Sequence, residues 1–166
     1  MPTSSRHEVV DVPTFETFFQ RAHDDVYRAL VLTIGDAELA ADAVQEALSK
    51  AYQRWHEVGA YANPTGWVYR VALNWSRSWF RRRARELALV RRPDGPLAEL
   101  PEPTDPTVSR AVRALPLPQR SVVILRLYLD WSVAEVATAL DVSPGTVKSR
   151  LARALARLRE HLEVES

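Results

Sequence analysis

The chain has 166 residues and a formal net charge of +1 at pH 7, so it can form one domain or two small ones and is not a polycation. Its 46% hydrophobic and 26% charged residues are typical of a folded protein. The absence of cysteine excludes disulfides, thiolate metal sites and thiol redox switches. No apolar run approaches the roughly 18 residues of a membrane span, and the polar first residues lead us to expect no signal peptide.

The N-terminal half is predicted to be helical throughout. Thr14 can cap a first helix that ends at Gly35, with these positions facing inward: Phe15, Phe18, Phe19, Ala22, Val26, Ala29 and Leu30. Asp36 can cap a second helix whose inner face repeats every four residues: Leu39, Ala43, Ala47, Ala51 and Trp55, with Val44, Leu48 and Tyr52 beside them. Asn63 and Pro64 then form the N-cap and first residue of a third, long helix.

The third helix has one apolar and one cationic side. The apolar side carries Val68, Ala72, Trp75 and Trp79, and aromatic stripes of this kind usually enter the core. At about 100° per residue, the opposite side gathers Arg70, Asn74, Arg77, Arg81 and Arg85, and Arg82 widens it. Such a face can be merely solvated, but this density of arginine exceeds what solubility requires. It can neutralise several phosphates, while Tyr61 and Trp67 can stack on unpaired bases.

A proline-rich acidic segment divides the chain. Between Asp94 and Ser109 the sequence has four acidic residues, four prolines and no basic residue. Repeated prolines prevent a long helix, so we expect an extended linker over residues 91–109. The predicted fold is therefore all-α, with a helical domain at 12–90, the linker, and a second helical domain at 110–162.

The C-terminal domain carries a predicted helix-turn-helix, the motif that places its second helix in the major groove of DNA. Ser132 and Glu135 form a capping box for the first helix, and Asp141 begins the turn. Ser143 and Pro144 then start the second helix as N-cap and first residue. The alternative is an ordinary pair of amphipathic helices. The helix caps, the length of the turn and the separation of apolar from polar residues onto opposite helix faces all favour a motif that reads DNA.

The second helix of this motif divides its polar residues by expected role. Its apolar side carries Val147, Leu151, Ala154, Leu155 and Leu158. Near its start, the candidates for base contacts are Thr146, Ser149 and Arg150. The candidates for phosphate contacts, which position the helix without reading sequence, are Lys148, Arg153 and Arg157.

These segments resemble bacterial RNA polymerase sigma factors of the extracytoplasmic-function (ECF) group. The segment from Asp36 to Leu48 resembles the part that binds the polymerase clamp. The segment from Asn63 to Arg83 resembles the part that melts and reads the minus-ten element, although Ser78 stands where the family often has an acid. Leu115 to Arg120 and Gly145 to Leu151 resemble the part that reads the minus-thirty-five element.

The resemblance implies a role for each surface. The residues implied to bind the clamp helices are Asp42, Gln45, Glu46, Leu48 and Ser49, which without it would be a solvated helix face. The residues implied to read and melt the downstream element are Tyr61, Asn63, Trp67, Arg70, Asn74, Arg77, Arg81, Arg82 and Arg85, with a flipped base held by the loop at 59–65. The linker would pass through the RNA-exit channel, and the C-terminal domain would also contact the polymerase flap.

The family further implies a cytoplasmic promoter-selecting subunit with promoter DNA and core polymerase as partners, a possible anti-sigma factor, and no cofactor. A stand-alone helix-turn-helix regulator is the main alternative, but it would leave residues 36–57 and the basic helix without a role. An enzyme such as a nuclease is a weaker one, because His7, His23, His56 and His161 are scattered with no ligand spacing. We therefore expect no catalytic residue and no metal site.

Overall fold

The computed structural model describes residues 11–87 and 105–164, and the predicted linker at 91–109 therefore lies largely outside the described residues. The regular structure of the described residues is helical throughout, which confirms the all-α prediction. The helices are α1 (Phe15–Ile34), α2 (Ala37–Gln53), α3 (Trp55–Val58), α4 (Pro64–Leu87), α5 (Pro106–Ala114), α6 (Leu117–Val123), a π-helical segment (Ile124–Tyr128), α7 (Val133–Leu140) and α8 (Pro144–Val164).

Local side-chain hydrogen bonds fix the starts of the N-terminal helices where the sequence predicts them. Thr14 accepts a hydrogen bond from the Thr17 amide at 3.2 Å, and Asp36 accepts one from the Leu39 amide at 2.9 Å. Asn63 Oδ1 accepts from the Gly66 amide at 2.8 Å at the start of α4. Each cap satisfies an amide that has no partner within its own helix. Gly35 ends α1 in the left-handed region, with φ of 75°.

Two aromatic residues expected inside α1 and α2 are exposed instead. Phe19 is 40% exposed and Tyr52 is 66% exposed, so the prediction that they face inward is wrong. The chain leaves the α2 axis at Arg54, and Trp55 opens the short helix α3 rather than continuing the ladder. The Trp55 ring centroid lies 4.8 Å from that of Phe18. Phe18 therefore occupies the buried position that Phe19 was expected to share.

The core of the N-terminal half lies between α1, α2 and α4. Fully buried residues from each helix meet there, among them Val26, Leu30, Val44 and Val68. Tyr69 of α4 is also fully buried, although the sequence analysis assigned it no place in the core. Trp75 and Trp79 are only partly buried, since α4 extends beyond the helices that cover its first half.

The C-terminal half forms the predicted helix-turn-helix. Ser132 and Glu135 make both hydrogen bonds of a capping box at the start of α7. Asp141 takes a left-handed conformation, with φ of 55°, and turns the chain toward α8. Upstream, α5 begins at Pro106, so residues 106–109 of the predicted linker are helical; Asp105 caps this helix by accepting from the Thr107 amide at 2.8 Å.

The two halves pack against each other through a continuous buried cluster. α1 contacts α6 and the π-helical segment, and α4 contacts α7. Buried residues of both halves, such as Val68 and Val136, belong to this cluster. The sequence predicts two domains set apart by a linker, and it does not predict this contact. Within the described ranges, no helix combines the length and apolarity needed to cross a bilayer.

Candidate nucleic-acid and polymerase interfaces

The outer face of α4 presents the cationic side chains that the sequence predicts. The exposed positions among the candidates are Asn74, Arg77, Arg81, Arg82 and Arg85. Arg81 donates to Ser78 Oγ at 3.1 Å. Ser78 therefore accepts a hydrogen bond from an arginine at the position where the resembled family often has an acidic residue. Neighbouring Arg83 lies 5.9 Å from the Trp79 ring centroid and 3.8 Å from Glu86. The exposed outer row can therefore approach a phosphate backbone directly.

The turn before α4 holds an exposed aromatic residue in a defined position. The Tyr61 hydroxyl donates to Glu57 Oε1 at 2.7 Å, and Glu57 also binds Arg54 at 2.7 Å. This hydrogen bond raises the pKa of the Tyr61 hydroxyl, because the nearby carboxylate disfavours a phenolate. The Tyr61 ring lies 6.5 Å from that of Trp67. The two rings thus stand side by side at the entrance to a cavity of about 620 Å³, which Asn63 and Arg70 also line.

The recognition helix α8 places its polar residues on the solvent side. Val147 and Ala154 are fully buried, while Lys148, Ser149, Arg153 and Arg157 are exposed. Thr146 is half-buried, and its hydroxyl lies 2.9 Å from Ser143 Oγ. Arg150 is also half-buried. The four exposed side chains can contact a DNA duplex in this conformation of the chain. The Arg150 side chain is partly covered and is less accessible to DNA.

Arg150 is partly covered because it faces the other predicted DNA surface. A cleft of about 360 Å³ is lined by Arg70, Asn74 and Arg77 from α4 and by Asp141 and Arg150 from the helix-turn-helix. Within it, Arg70 lies 4.0 Å from Asp141. The structure therefore brings together residues that the sequence assigns to two different promoter elements.

The predicted polymerase-binding residues lie along α2 beside a wide groove. Asp42, Gln45 and Ser49 are exposed, Glu46 is paired with Lys50 at 3.4 Å, and Leu48 is only 4% exposed. Because Leu48 is buried, it supports the helix more than it offers surface. The groove has a volume of about 670 Å³ and is lined by Gln45, Leu48 and Ser49 together with four aromatic residues: Tyr27, and three that the sequence analysis expected to face inward, Phe15, Phe19 and Tyr52.

The phenylalanine and tyrosine side chains in this groove make its lining largely apolar. The Phe15 ring lies 5.1 Å from Tyr52 and 6.2 Å from Phe19, which fixes the position of both exposed rings. Aromatic side chains are enriched at the centre of protein interfaces. The sequence did indicate that one of these rings would be exposed. Phe18 and Phe19 are adjacent, and one helix face cannot bury both equally.

No cluster of three or more metal-binding side chains occurs in the described ranges of the chain. His23 is bonded to its neighbour Asp24 at 2.9 Å, and it stands apart from other histidines.

Comparisons with known proteins identify both halves. A family model for sigma-70 region 2 matches residues 18–86, and a model for sigma-70 region 4 matches residues 107–158. An RNA polymerase sigma-E factor of Streptomyces avermitilis is 37% identical over 158 residues, covering 92% of this chain and 87% of the relative. The ECF RNA polymerase sigma factor SigM of Mycobacterium tuberculosis is 32% identical over 160 residues, covering 92% of this chain and 79% of the relative.

Solved structures show the same fold. The sigma factor RpoE of Bartonella quintana, determined in complex with the anti-sigma factor NepR, matches with a TM-score of 0.75 and 24% identity over 92% of this chain and 98% of that chain. The structure of CnrH in complex with the cytosolic domain of CnrY matches with a TM-score of 0.63 and 24% identity, over 92% of this chain and 89% of that chain.

Proposed function

Because the chain belongs to the ECF group of RNA polymerase sigma factors, which bind core RNA polymerase and direct promoter recognition and transcription initiation, we propose how its three surfaces divide that task. The α2 groove binds the polymerase clamp, the face of α4 opens and reads the minus-ten element, and α8 reads the minus-thirty-five element. The matches at 18–86 and 107–158 support a division into domains at 12–90 and 110–162.

The observation that carries this assignment is that two separate cationic helices, α4 and α8, each present an exposed row of nucleic-acid-binding side chains. A stand-alone regulator needs only one such surface. On α4 the row runs through Asn74, Arg77 and Arg81, and on α8 through Lys148, Arg153 and Arg157. Two rows allow one chain to hold two elements of the same promoter.

Promoter opening is assigned to the start of α4. Extracting a base from a duplex costs a few kcal/mol, which contacts in a pocket and stacking must offset. Tyr61 and Trp67 provide adjacent aromatic rings, and the Asn63 amide lies at the same cavity. Arg81, Arg82 and Arg85 farther along α4 then hold the phosphates of the separated strand.

Upstream recognition is assigned to the first turns of α8. Thr146, Ser149 and Arg150 contact base edges, since these turns enter the major groove. Lys148, Arg153 and Arg157 bind phosphates and set the position of the helix. The polymerase flap supports this domain from its other side.

The remaining assignments follow from the family. The chain makes and breaks no bond itself, because core polymerase supplies the chemistry, and it needs no cofactor. It acts in the cytoplasm, where the polymerase is, and the acidic linker enters the RNA-exit channel. The sigma factor RpoE of Bartonella quintana has been co-crystallised with the anti-sigma factor NepR. We propose that a partner of this kind restrains the present chain by covering the α2 groove.

Transcription in vitro tests the assignment directly. Core polymerase is supplied with fragmented host DNA, with and without this protein, and the 5′ ends of the RNA are sequenced. The expected result is a set of new start sites that share two spaced upstream elements. A matched reaction contains the Arg77→Ala, Arg81→Ala variant, which should bind core polymerase and give few starts. Failure of the unaltered chain to bind core polymerase, combined with tight binding to duplex DNA alone, would favour the stand-alone regulator.

A further inference from the structure

Glu57, an exposed residue of α3, lies outside the three proposed surfaces and joins two of its neighbours. Its two carboxylate oxygens accept from Arg54 Nη2 at 2.7 and 2.8 Å, and one of them also accepts from Arg54 Nε at 3.2 Å. The carboxylate accepts the Tyr61 hydroxyl hydrogen as well, at 2.7 Å. An exposed ion pair adds little to stability. The forked contact with Arg54 instead fixes the direction in which the carboxylate points.

The single turn of α3 that carries Glu57 is anchored to the core. The Trp55 indole donates to the Pro13 carbonyl at 2.9 Å, and its ring centroid lies 4.8 Å from that of Phe18. A Cβ atom built on Gly59, at the end of this turn, would lie 2.8 Å from the Trp55 carbonyl oxygen, so the chain passes too close to allow a side chain there. The exposed Tyr61 ring is therefore attached, through Glu57, to a fixed part of the fold.

The contact with Glu57 decides which hydrogen-bonding role remains for the Tyr61 hydroxyl. Hydrogen bonds from Arg54 and then from Tyr61 lower the pKa of Glu57, so its carboxylate is ionised at neutral pH and can only accept. A phenol has one hydroxyl hydrogen, and Tyr61 donates it to Glu57. The Tyr61 oxygen can therefore offer only its lone pairs to an incoming group.

The aromatic rings beside this oxygen do not distinguish one base from another. The Tyr61 and Trp67 ring centroids are 6.5 Å apart, and the ring planes are inclined by 50°. A base stacked on one ring meets the other at an angle, and stacking tolerates every base because each has a π face. Asn63 Oδ1 is occupied in capping α4, where it accepts from the Gly66 amide. The Tyr61 oxygen is thus an acceptor that this loop can direct at a base edge.

We propose that Glu57, oriented by Arg54, is a positioning residue that fixes the Tyr61 hydroxyl as an acceptor, and that the loop at 59–65 therefore prefers an unpaired base with an amino group. Adenine N6 and cytosine N4 donate at the place where guanine O6 and thymine O4 only accept. An amino group gains a hydrogen bond to the Tyr61 oxygen, whereas a keto oxygen faces its lone pairs. The inference rests on the proposed function, because it requires that the loop receive a base.

Three variants separate positioning from support of the fold. Glu57→Ala frees the hydroxyl hydrogen, so Tyr61 can donate to a keto oxygen as well as accept from an amino group. Tyr61→Phe keeps the ring and removes the hydroxyl. The double variant should resemble Tyr61→Phe alone, because Glu57 acts only through that hydroxyl. Gln53→Ala is the matched control, since Gln53 is exposed, precedes Arg54 and lies outside the contact. Helical circular dichroism should be the same for all of these proteins.

The readout is the base composition of the downstream element among mapped transcription start sites. Core polymerase with each variant transcribes the same fragmented host DNA, and the RNA 5′ ends are sequenced. Unaltered chain and Gln53→Ala should favour adenine or cytosine at one position by roughly two- to tenfold, the range for one hydrogen bond. Glu57→Ala and Tyr61→Phe should bring this ratio close to one at that position and leave the other positions unchanged.

A role for Glu57 in folding alone would lower transcription from every promoter and leave the ratio intact, which would overturn the proposal. A preference that survives in Tyr61→Phe would also overturn it. No start sites with the unaltered chain would refute the sigma role, and the base-reading role of Tyr61 with it.

The contact itself is tested without polymerase, by nuclear magnetic resonance of chain labelled at the tyrosine Cζ atoms, with Tyr61→Phe identifying the signal. The hydrogen bond to Glu57 raises the pKa of Tyr61, so Tyr61 should titrate at higher pH in the unaltered chain than in Glu57→Ala. Gln53→Ala should titrate like the unaltered chain. Equal titration in the unaltered chain and Glu57→Ala would refute the contact and the proposal, whatever the outcome of transcription.

Discussion

The Tyr69 hydroxyl of α4 lies 2.9 Å from Thr33 Oγ1 of α1 in the fully buried centre of the molecule. Thr33 donates its own hydroxyl hydrogen to the Ala29 carbonyl at 2.7 Å, so Tyr69 must be the donor in the pair. Burial raises the pKa of the Tyr69 hydroxyl, and the group remains a neutral donor. The hydrogen bond ties α4, the helix proposed to carry the downstream DNA surface, to α1.

The two residues of this pair should respond differently to removal of their hydroxyl groups. Tyr69→Phe removes the donor, while Thr33 keeps its bond to Ala29, so we expect a loss of about 0.5–1.5 kcal/mol in unfolding free energy. Thr33→Val leaves the Tyr69 hydroxyl without that acceptor, and the expected loss is larger, about 1–3 kcal/mol. Urea unfolding of both variants measures the difference. A larger loss for Tyr69→Phe would contradict the assigned direction of the bond.

Arg150→Ala should weaken binding to the upstream element by about 1–3 kcal/mol and relax specificity at one base pair, if the guanidinium makes a bidentate base contact. Lys148→Ala is the matched control on the same helix. As a phosphate contact, it should lower affinity for all sequences alike and reduce the salt slope by about one unit. Binding of polymerase holoenzyme to a library of upstream sequences separates the two patterns. A uniform loss for Arg150→Ala would make it a phosphate contact.

The double variant Arg81→Ala, Arg82→Ala should impair promoter opening while leaving polymerase binding intact. Both side chains are exposed on α4 and contribute to no core, so folding should be unaffected. Permanganate reactivity of unpaired thymines reports opening, and co-migration with core polymerase reports binding. Arg21→Ala, an exposed arginine on α1, serves as the control for loss of charge. Normal opening by the double variant would place the melting surface elsewhere.

Tyr52→Ala should reduce the affinity for core polymerase with little effect on stability. The side chain is 66% exposed and lies in the α2 groove, and central aromatic residues at interfaces commonly contribute about 2 kcal/mol or more. Tyr128→Ala is the control, since Tyr128 is an exposed tyrosine of the other half that lies outside the groove. Fluorescence anisotropy with labelled chain gives both affinities. An equal affinity for the two variants would exclude the groove as the clamp site.

Features set by neighbouring residues could be predicted from the sequence. The caps at Thr14, Asp36, Asn63 and Ser132 each use a side chain to satisfy the amide three residues further along, so the local sequence suffices. The cationic rows on α4 and α8 follow from helical periodicity for the same reason. The exposure of Asp42, Gln45 and Ser49 on α2 follows too.

Features set by distant residues could not be predicted. Periodicity placed Phe19 inside because it is apolar, but only the packing of Phe18 against Trp55 decides which of the two adjacent rings is buried. A Cβ atom built on Gly66 of α4 would lie 2.8 Å from the Ala139 Cβ atom of α7, yet the two residues are 73 positions apart and neither belongs to an apolar stripe. Their contact becomes visible only when α4 and α7 are placed together, which is why the sequence predicts separated domains.

Arg120 lies in the Leu115–Arg120 segment, which the sequence assigns by resemblance to upstream promoter reading. In the structure its guanidinium donates to the Thr33 carbonyl at the end of α1, at 2.7 Å. It also donates to the Arg113 and Leu115 carbonyls at the end of α5, at 2.7 and 2.8 Å, so it joins the carboxyl ends of α1 and α5. Its forked, planar donors suit three acceptors in a way that the single ammonium of a lysine does not. A genetic screen that scores only promoter output would therefore record Arg120 as a DNA contact, although its loss would act through folding and would impair every promoter equally.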